Sequence, residues 1–514
     1  MKKVFFVITC LCIINVITYA QDSSPIVKTD AGQVSGVIQK ESGIEVFKGV
    51  PFAAPPIGEL RWKAPQPVKP WNDIRKCDTF SASAVQPTPV AFYLWSQEFI
   101  APAKPLSEDC LYLNVWTKAT TGKKPVIVWI HGGGFTGGSG SVPVYDGEAM
   151  AKKDVVFVTI NYRLGIFGFL AHPDLTKESG YSASGNYALL DQIAALQWVQ
   201  HNIAAFGGDP ERVTVAGQSA GAFSVCALMA SPLAKGLFQR AIAESGGMFN
   251  MDGRAKQLQA AEQEGVQLAT KLNATSITEL RALPADAVLA AGGGISSPVI
   301  DGYVLPTDIY SIFKQGKQND VALITGWNTD EGFLPQVPLT AERFKESITK
   351  KYGGLAEEML KAFPSGSDEE ATASQKAMSR DQIFAWQNYT WANMQTATGK
   401  QKAWLYLFSQ KPAGQPDNGA FHSAEIPYAL HTLNLWNRPW TATDRQVENV
   451  MSNYWVNFAT TGNPNGTGLP EWPAVETNKI KAMEFKASSK AVTNPLKKEM
   501  DVLDKYQVSL RKND

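Results

Sequence analysis

Histidine and cysteine are both scarce in this chain, which has only five of each among 514 residues. No two histidines lie within four residues of one another, and no two cysteines have the spacing of a zinc site. The G-x-x-x-x-G-K signature of phosphate-binding loops is also absent. The sequence therefore argues against a metal enzyme and predicts no metal and no cofactor.

The chain also lacks an excess of charge of either sign, because 48 basic residues balance 48 acidic ones. Nucleic-acid binders usually carry a basic excess, so we expect no nucleic-acid partner. The chain has no long apolar run beyond its first 20 residues. Those residues carry lysines at 2 and 3, continue with an apolar stretch over 4–17, and end with small residues at 18 and 20. This pattern predicts a signal peptide over 1–20, cleaved before Gln21. We expect a periplasmic or secreted protein without stable membrane insertion.

The mature chain would keep three cysteines, Cys77, Cys110 and Cys226. In an oxidising compartment the simplest arrangement of three is one disulfide and one free thiol. Cys226 lies in an apolar stretch, which is typical of a buried, inert thiol.

Short apolar runs bounded by turn residues indicate strands that are buried on both faces, as in a parallel sheet. They occupy 126–130, 155–160, 213–216, 241–243, 321–325 and 404–408. Helical patterns lie between them, over 189–203 for example, and also fill 254–290, 340–400 and 443–460. Strands that alternate with helices predict an α/β fold with a mainly parallel sheet. Without repeats or linkers, residues 21–514 are predicted to form a single domain.

A candidate nucleophile follows the third of these runs. Residues 217–221 read Gly-Gln-Ser-Ala-Gly, between a strand pattern and an apolar helical run. This is the G-x-S-x-G elbow in its required context of strand, turn and helix. Small residues on both sides let the turn be sharp, so the Ser219 hydroxyl stands clear of the sheet at the positive end of a helix.

A glycine-rich loop, His-Gly-Gly-Gly-Phe over 131–135, follows the first strand run. Glycines let backbone N–H groups approach a negatively charged oxygen closely, so Gly133, Gly134 and Ala220 are predicted oxyanion-hole donors. A dinucleotide fingerprint, G-x-G-x-x-G starting at Gly132, is the competing interpretation. It requires a helix to begin within the glycines, and the following Gly-Ser-Gly-Ser-Val-Pro stretch cannot form one.

A serine nucleophile needs a general base, normally histidine. Folds of this kind order the triad as serine, acid and histidine along the chain, with the histidine on a late loop. This order selects His422, which lies in a loop after the strand run 404–408. The acid should follow a strand in between, and Asp330, Glu331 and Asp301 all qualify. Spacing alone does not choose among them, and each carboxylate is also typical of a turn.

The motifs resemble those of the type-B carboxylesterase family, which includes the cholinesterases and the bacterial para-nitrobenzyl-type esterases, over almost the whole mature chain. The segments that carry the resemblance are FKGVPFA at 47–53, SEDCLYLNV at 107–115, HGGGF at 131–135, FGGDP at 206–210 and GQSAG at 217–221. The resemblance implies an α/β-hydrolase fold with a mixed, mainly parallel sheet and helical insertions over it. It also implies hydrolysis of carboxylic esters through an acyl-enzyme intermediate.

Residue roles follow from the same resemblance. It implies Ser219 as nucleophile, His422 as base and, among the three candidate acids, Glu331. It implies oxyanion donation by Gly133, Gly134 and Ala220, support of the acid by Ser245, and a disulfide between Cys77 and Cys110.

Two departures narrow the expected substrate. Gln218 precedes the nucleophile where many members carry Glu, which removes a negative charge that would attract cations. Ile100 stands where cholinesterases carry a choline-binding Trp, and the nearby Trp95 is out of register. We therefore expect a carboxylesterase for uncharged small-molecule esters. The alternatives are a non-catalytic binding protein on the same fold, or the same site acting on amide, thioester or lactone bonds.

Overall fold

The computed structural model describes residues 24–250, 255–477 and 479–511. Its centre is an eleven-stranded mixed sheet. In chain order the strands are β1 (Val37–Ile38), β2 (Glu45–Pro51), β3 (Tyr112–Thr117), β4 (Lys124–Ile130), β5 (Val156–Ile160), β6 (Gly208–Gln218), β7 (Arg240–Glu244), β8 (Ala322–Asn328), β9 (Ala403–Phe408), β10 (Lys481–Phe485) and β11 (Lys490–Thr493). Across the sheet they are ordered β11-β10-β9-β8-β7-β6-β4-β5-β3-β2-β1.

Strands β5, β4, β6, β7, β8, β9 and β10 form a continuous parallel core, and antiparallel strands extend the sheet at both edges. The six strand runs expected from sequence all lie in this core, so the predicted α/β architecture is confirmed. Short strand pairs lie outside the main sheet, at Ile26–Lys28 with Gln33–Ser35 and Arg75–Lys76, Ser83–Ala84 with Leu106–Ser107, and Lys256–Gln257 with Val299–Ile300.

Helices cover both faces of the sheet, and those within residues 341–398 are termed the cap. They are α1 (Glu148–Lys152), α2 (Gly165–Phe169), α3 (Pro173–Glu178), α4 (Tyr187–Asn202), α5 (Ala220–Ala230), α6 (Leu258–Lys271), α7 (Ile277–Ala282), α8 (Ala285–Ala291), α9 (Ile309–Lys314), α10 (Ala341–Tyr352), α11 (Ala356–Ala362), α12 (Asp368–Arg380), α13 (Trp386–Thr398), α14 (Ile426–Ala429), α15 (Ala442–Thr461) and α16 (Lys497–Arg511). A π-helical turn, Asp381–Ala385, joins α12 to α13. The helical regions expected around 189–203, 254–290, 340–400 and 443–460 are all present.

Side chains alternate between the two faces of the central strands. In β4, Val126, Val128 and Ile130 pack into the core on one face, whereas Ile127 and Trp129 pack into the core on the other. Burial on both faces explains why this strand is a continuous apolar run instead of an alternating one. Helix α5 is equally enclosed, since all eleven of its residues are buried. The candidate nucleophile, which lies between β6 and α5, is therefore held by rigid neighbours.

A buried ion pair ties the loop after β5 to helix α4. The guanidinium of Arg163 donates two hydrogen bonds to the Asp191 carboxylate, of 2.8 and 2.6 Å, and both side chains are almost fully excluded from solvent. The backbone N–H of Arg163 also donates to Asp191, at 3.1 Å. A charge buried this deeply is tolerated only with a partner of this geometry.

No helix among the described residues is both long enough and apolar enough to cross a membrane. The predicted signal peptide, residues 1–20, lies outside the described residues.

Candidate active site

Ser219 occupies a sharp turn between β6 and α5. Its backbone has φ 55° and ψ −122°, a strained conformation for a residue with a side chain. The flanking glycines make the turn possible, because a Cβ on Gly221 would lie 2.0 Å from the carbonyl oxygen of Ile130. The backbone N–H of Ser219 donates to the carbonyl of Glu244 at 2.9 Å, which fixes the turn against β7. The elbow predicted from sequence is thus present in the fold.

The glycine-rich loop after β4 lies directly against this elbow. A Cβ on Gly132 would lie 2.8 Å from the Gln218 carbonyl oxygen and 3.1 Å from the Ser219 Cβ, so glycine is needed for this approach. Gly134 has a φ of 61°, in the left-handed region. Ala220 is the first residue of α5, and its N–H therefore has no partner within the helix. The three predicted oxyanion donors thus belong to two backbone segments that meet at Ser219.

His131 holds the glycine-rich loop in place through its contacts with Tyr162. Its ring stacks on Tyr162 with 4.4 Å between centroids, and the Tyr162 hydroxyl donates to the His131 carbonyl at 2.8 Å. Complete burial lowers the pKa of His131 to about 4. His131 therefore stays neutral at physiological pH and serves to hold the loop.

The structure brings Glu331 to His422. The Nδ1 atom of His422 lies 2.9 Å from Oε2 of Glu331, and both side chains are almost fully buried. The other oxygen, Oε1, accepts the backbone N–H of Asn328 at 2.9 Å. Burial raises the pKa of Glu331 to about 8, against the opposing effects of the Asn328 N–H, Ser245 and Arg380. The carboxyl is therefore oriented from both sides and points one oxygen at the imidazole.

The other two candidate acids have different partners. Asp330 accepts the Ala420 N–H at 2.9 Å and the Thr329 hydroxyl at 2.8 Å. Asp301 accepts the N–H groups of residues 303 and 305, at 3.1 and 2.9 Å. Both are turn-stabilising carboxylates, the alternative role considered from sequence.

Ser245 lies at the end of β7, where its N–H donates to the Gly326 carbonyl at 2.8 Å. Its hydroxyl is close enough to lower the pKa of Glu331, although its Oγ makes no hydrogen bond of ordinary geometry within the described part of the chain. Gln218 also approaches the imidazole, with its amide nitrogen 3.3 Å from Nε2 and 3.5 Å from Nδ1 of His422.

Ser219 and His422 line one cavity of about 810 Å³, together with the glycine-rich loop. The remaining wall is mainly apolar and aromatic. Its aromatic members are Phe92, Tyr93, Trp95, Phe99, Tyr145, Phe333 and Phe384. None of the described residues that line the cavity is Asp, Glu, Lys or Arg. An uncharged pocket of this size fits a neutral small molecule with apolar groups.

Comparison with known proteins decides what kind of protein carries this site. The family profile described as "Carboxylesterase family" matches residues 23–503. This chain belongs to the carboxylesterase family. Among its relatives, the fumonisin B1 esterase of Sphingopyxis macrogoltabida is 36% identical over 490 residues, covering 90% of this chain and 87% of that protein. The para-nitrobenzyl esterase of Bacillus subtilis (strain 168) is 36% identical over 472 residues, covering 87% and 92%.

Solved structures agree with the sequence comparison. A structure of PNB esterase superimposes with a TM-score of 0.81 at 32% identity, covering 94% of this chain and 99% of that one. A thermophilic PNB esterase gives 0.81 at 32% identity, covering 94% and 100%. The predicted family and the α/β-hydrolase fold are confirmed, and the protein is a carboxylic ester hydrolase.

The state of the cysteines in this carboxylesterase differs from what the resemblance implied. Cys77, Cys110 and Cys226 are all buried free thiols, so the structure does not contain the disulfide that the resemblance implied between the first two. Burial raises the pKa of Cys77 to about 11 and that of Cys110 further. Such thiols are unreactive in this form. The Cys77–Cys110 pairing stays a prediction for an oxidising compartment.

The sequence analysis did not single out two further carboxyls that are buried near the Glu331–His422 pair. Glu244 ends β7 and accepts the indole N–H of Trp455 at 2.8 Å, and Glu425 lies three residues after His422 and accepts a hydrogen bond from the Asn328 side chain. Both are fully buried. The sequence did contain a signal for both residues. An acidic residue inside or beside a buried apolar element is rare unless it is paired. Burial raises the pKa of both groups, to about 7 for Glu425, and the charge of Glu331 contributes there too.

A carboxyl with a raised pKa makes stability depend on pH in a defined direction. Glu425 has a pKa near 4.5 in the unfolded chain and about 7 in the fold. The unfolded chain loses its proton first, so this group lowers the free energy of unfolding as the pH rises from about 4.5 to 7, by up to about 3 kcal/mol. We expect Glu425→Gln to melt close to the wild type at pH 4.5 and a few °C above it at pH 8. Thermal melts across this range measure the difference.

Glu342→Gln, at an exposed position in α10, is the control and should show no pH-dependent difference. A Glu425→Gln stability difference that is constant over pH, or larger at pH 4.5, would contradict the expectation.

Proposed function

We propose that this carboxylesterase hydrolyses uncharged carboxylic esters through an acyl-enzyme intermediate on Ser219. The observation that carries the proposal is the shared cavity, which is lined both by a strained elbow serine and by a histidine already bonded to a buried carboxyl. Because Nδ1 of His422 is bonded to Glu331, Nε2 is the ring nitrogen that serves the serine.

In the first half of the reaction, Nε2 of His422 accepts the proton of the Ser219 hydroxyl as Oγ bonds to the ester carbonyl carbon. The carbonyl oxygen becomes negative and is stabilised by the N–H groups of Gly133, Gly134 and Ala220. The imidazolium then gives its proton to the departing alkoxide, which leaves as an alcohol. Glu331 stabilises the transient positive charge on the imidazole as a carboxylate, the form that this neighbouring charge favours against the effect of burial.

In the second half, water takes the place of the alcohol. His422 accepts a proton from the water as its oxygen bonds to the acyl carbon, and then returns that proton to Ser219 when the acid is released. Each half returns the histidine to its neutral state. Ser245 acts through Glu331, since its hydroxyl favours the ionised carboxylate.

The cavity wall supports a preference for neutral esters. A quaternary ammonium group entering this space would lose water without gaining an acidic partner among the lining residues, and attraction to the aromatic ring faces would offset only part of that loss. Trp95, although out of register with the choline-binding position of cholinesterases, lines the cavity and directs its indole N–H to the Ser423 hydroxyl at 3.2 Å. A non-catalytic binding role is the less favoured hypothesis, because every group that the acyl-transfer chemistry needs is present.

We also propose that the mature protein is one domain over 21–514, exported after cleavage of residues 1–20, with Cys77 and Cys110 joined in the oxidising compartment. The family match over 23–503 and the single sheet that runs from β1 to β11 support one domain.

Ser219→Ala tests the nucleophile. Turnover of a short-chain 4-nitrophenyl ester should fall by at least about 10⁴-fold, because the residual binding and oxyanion groups cannot form an acyl-enzyme. Labelling by a fluorophosphonate probe should vanish, while the melting temperature should stay within about 2 °C of the wild type. Ser347→Ala, on the exposed side of α10, is the control and should keep both activity and labelling. Full turnover or labelling in Ser219→Ala would refute the nucleophile assignment.

The charge preference can be tested with two esters of one acid that differ only in charge. A choline ester and its carbon isostere, the 3,3-dimethylbutyl ester, have nearly the same shape. We expect kcat/KM to be at least about tenfold higher for the neutral ester, because the ammonium group would be desolvated without an acidic partner. Steady-state kinetics under matched conditions give the ratio. An equal or higher value for the choline ester would overturn the preference.

Export and the disulfide can be tested together by mass spectrometry of the protein recovered from outside the cytoplasm of an expressing bacterium. The intact mass should correspond to a chain that starts at Gln21 and lacks two hydrogen atoms, and non-reducing peptide mapping should join Cys77 to Cys110. A chain retained in the cytoplasm with residues 1–20 would contradict export. An exported chain with three reactive thiols after unfolding would contradict the disulfide alone.

A further inference from the structure

Three aromatic rings surround the imidazole of His422, and they differ in orientation. Phe384 is stacked nearly parallel on it, with 4.5 Å between centroids and 19° between planes. Phe333 and Trp95 are at 5.7 and 6.2 Å, with interplanar angles of 71° and 87°. Phe384 is therefore the ring whose face lies parallel to the face of the imidazole.

The π-helical turn Asp381–Ala385 carries Phe384 to this position. An extra residue per turn shifts the direction of the side chains that follow, and such turns frequently occur at functional sites. Arg380, the residue just before this turn, donates to the carbonyl of Thr329 at 2.9 Å and so contacts the loop that bears Glu331. It also pairs with the buried Asp381 at 2.6 Å, which links the turn to that loop. Phe384 itself is only 2% exposed, so its ring is held by packing.

A stacked ring distinguishes between the two protonation states of the imidazole. The face of a benzene ring is the negative end of its quadrupole, and a cation within about 6 Å of the centroid is attracted to it, most strongly where water is excluded. Neutral imidazole gains little from this field, whereas the imidazolium formed during acyl transfer gains substantially. The stack therefore favours the charged intermediate state of the histidine.

Charged groups also act on this imidazole from the surrounding segments. Glu331 bonds to Nδ1, Glu425 interacts with it from the same loop, and Arg380 and Asp381 act on Glu331 from the cap. Gln218 and Ser219, on the elbow side, are uncharged. Replacing Phe384 by another apolar residue changes none of these charges, so the effect of the ring can be isolated.

We propose that Phe384 is a positioning residue that stabilises the imidazolium form of His422 through its ring face, and so couples the helical cap to acyl transfer. The inference rests on the proposed function, in which His422 is the general base. The inference gives the π-helical turn a chemical role, which is to place the Phe384 ring against His422. Packing of the cap alone would not require that placement.

The experiment compares Phe384→Leu with Phe384→Tyr on a neutral 4-nitrophenyl ester. Leucine keeps the site apolar and dry but removes the ring face, whereas tyrosine keeps the face. Loss of the face should lower the histidine pKa that sets the acid limb of kcat/KM, moving that limb to lower pH by about 0.5 to 1 unit. The plateau should fall by about two- to tenfold. Phe384→Tyr should restore the limb to its wild-type position.

Phe313→Leu is the matched control. Phe313 is fully buried and packs against Phe249 and Trp391, away from the histidine. Its loss should cost thermal stability as Phe384→Leu does, but it should leave the acid limb in place. A second readout follows the pKa of His422 directly by NMR of ¹⁵N-histidine-labelled protein, which is tractable with five histidines and a His422→Gln variant for assignment.

A wild-type acid limb and an unchanged His422 titration in Phe384→Leu would overturn the inference and reduce Phe384 to packing. The proposed function would survive that result, since the wild type would still show its limb and its dependence on Ser219. Failure of the proposed function would instead be evident in an active Ser219→Ala variant, independently of Phe384.

Discussion

The strained backbone of Ser219 is the constraint on which the rest of the site depends. A φ of 55° at a residue with a side chain is costly and persists only where the surroundings leave no alternative. Here β6 is paired with β4 and β7, the Ser219 N–H is bonded to β7, and Gly221 is pressed against the end of β4. The same close approach brings the glycine-rich loop to the serine, so the proposed nucleophile and the proposed oxyanion donors are held by one set of contacts.

Much of this arrangement could be predicted from sequence, because its signals are local. Apolar runs marked the parallel strands, and glycines around Ser219 marked the elbow. The choice between Asp330 and Glu331 was different in kind, since adjacent residues point in different directions and only the path of the turn decides which one reaches His422. Phe384 gave no local signal, because the π-helical turn and the folding of the cap onto the sheet bring it to the histidine.

Charge is distributed unevenly around the reaction centre. The cavity that receives the substrate has no charged residue among its described lining, whereas three carboxyls, Glu244, Glu331 and Glu425, are buried behind the histidine. Ionising several neighbouring carboxyls is unfavourable in a medium of low polarity, so burial raises their pKa values. Negative charge that forms on these carboxyls lies beside the imidazole and not in the cavity wall, so it stabilises a positive ring without repelling a neutral substrate.

The order of the parallel strands has a consequence for how the enzyme comes into being. Ser219 follows β6, Glu331 follows β8 and His422 follows β9, so the three groups meet only after pairings between distant parts of the chain have formed. Contacts of such long sequence separation are slow to form. A partly folded or still-growing chain therefore contains Ser219 well before His422 can reach it, and the proposed acyl transfer cannot begin until the sheet has closed across β9.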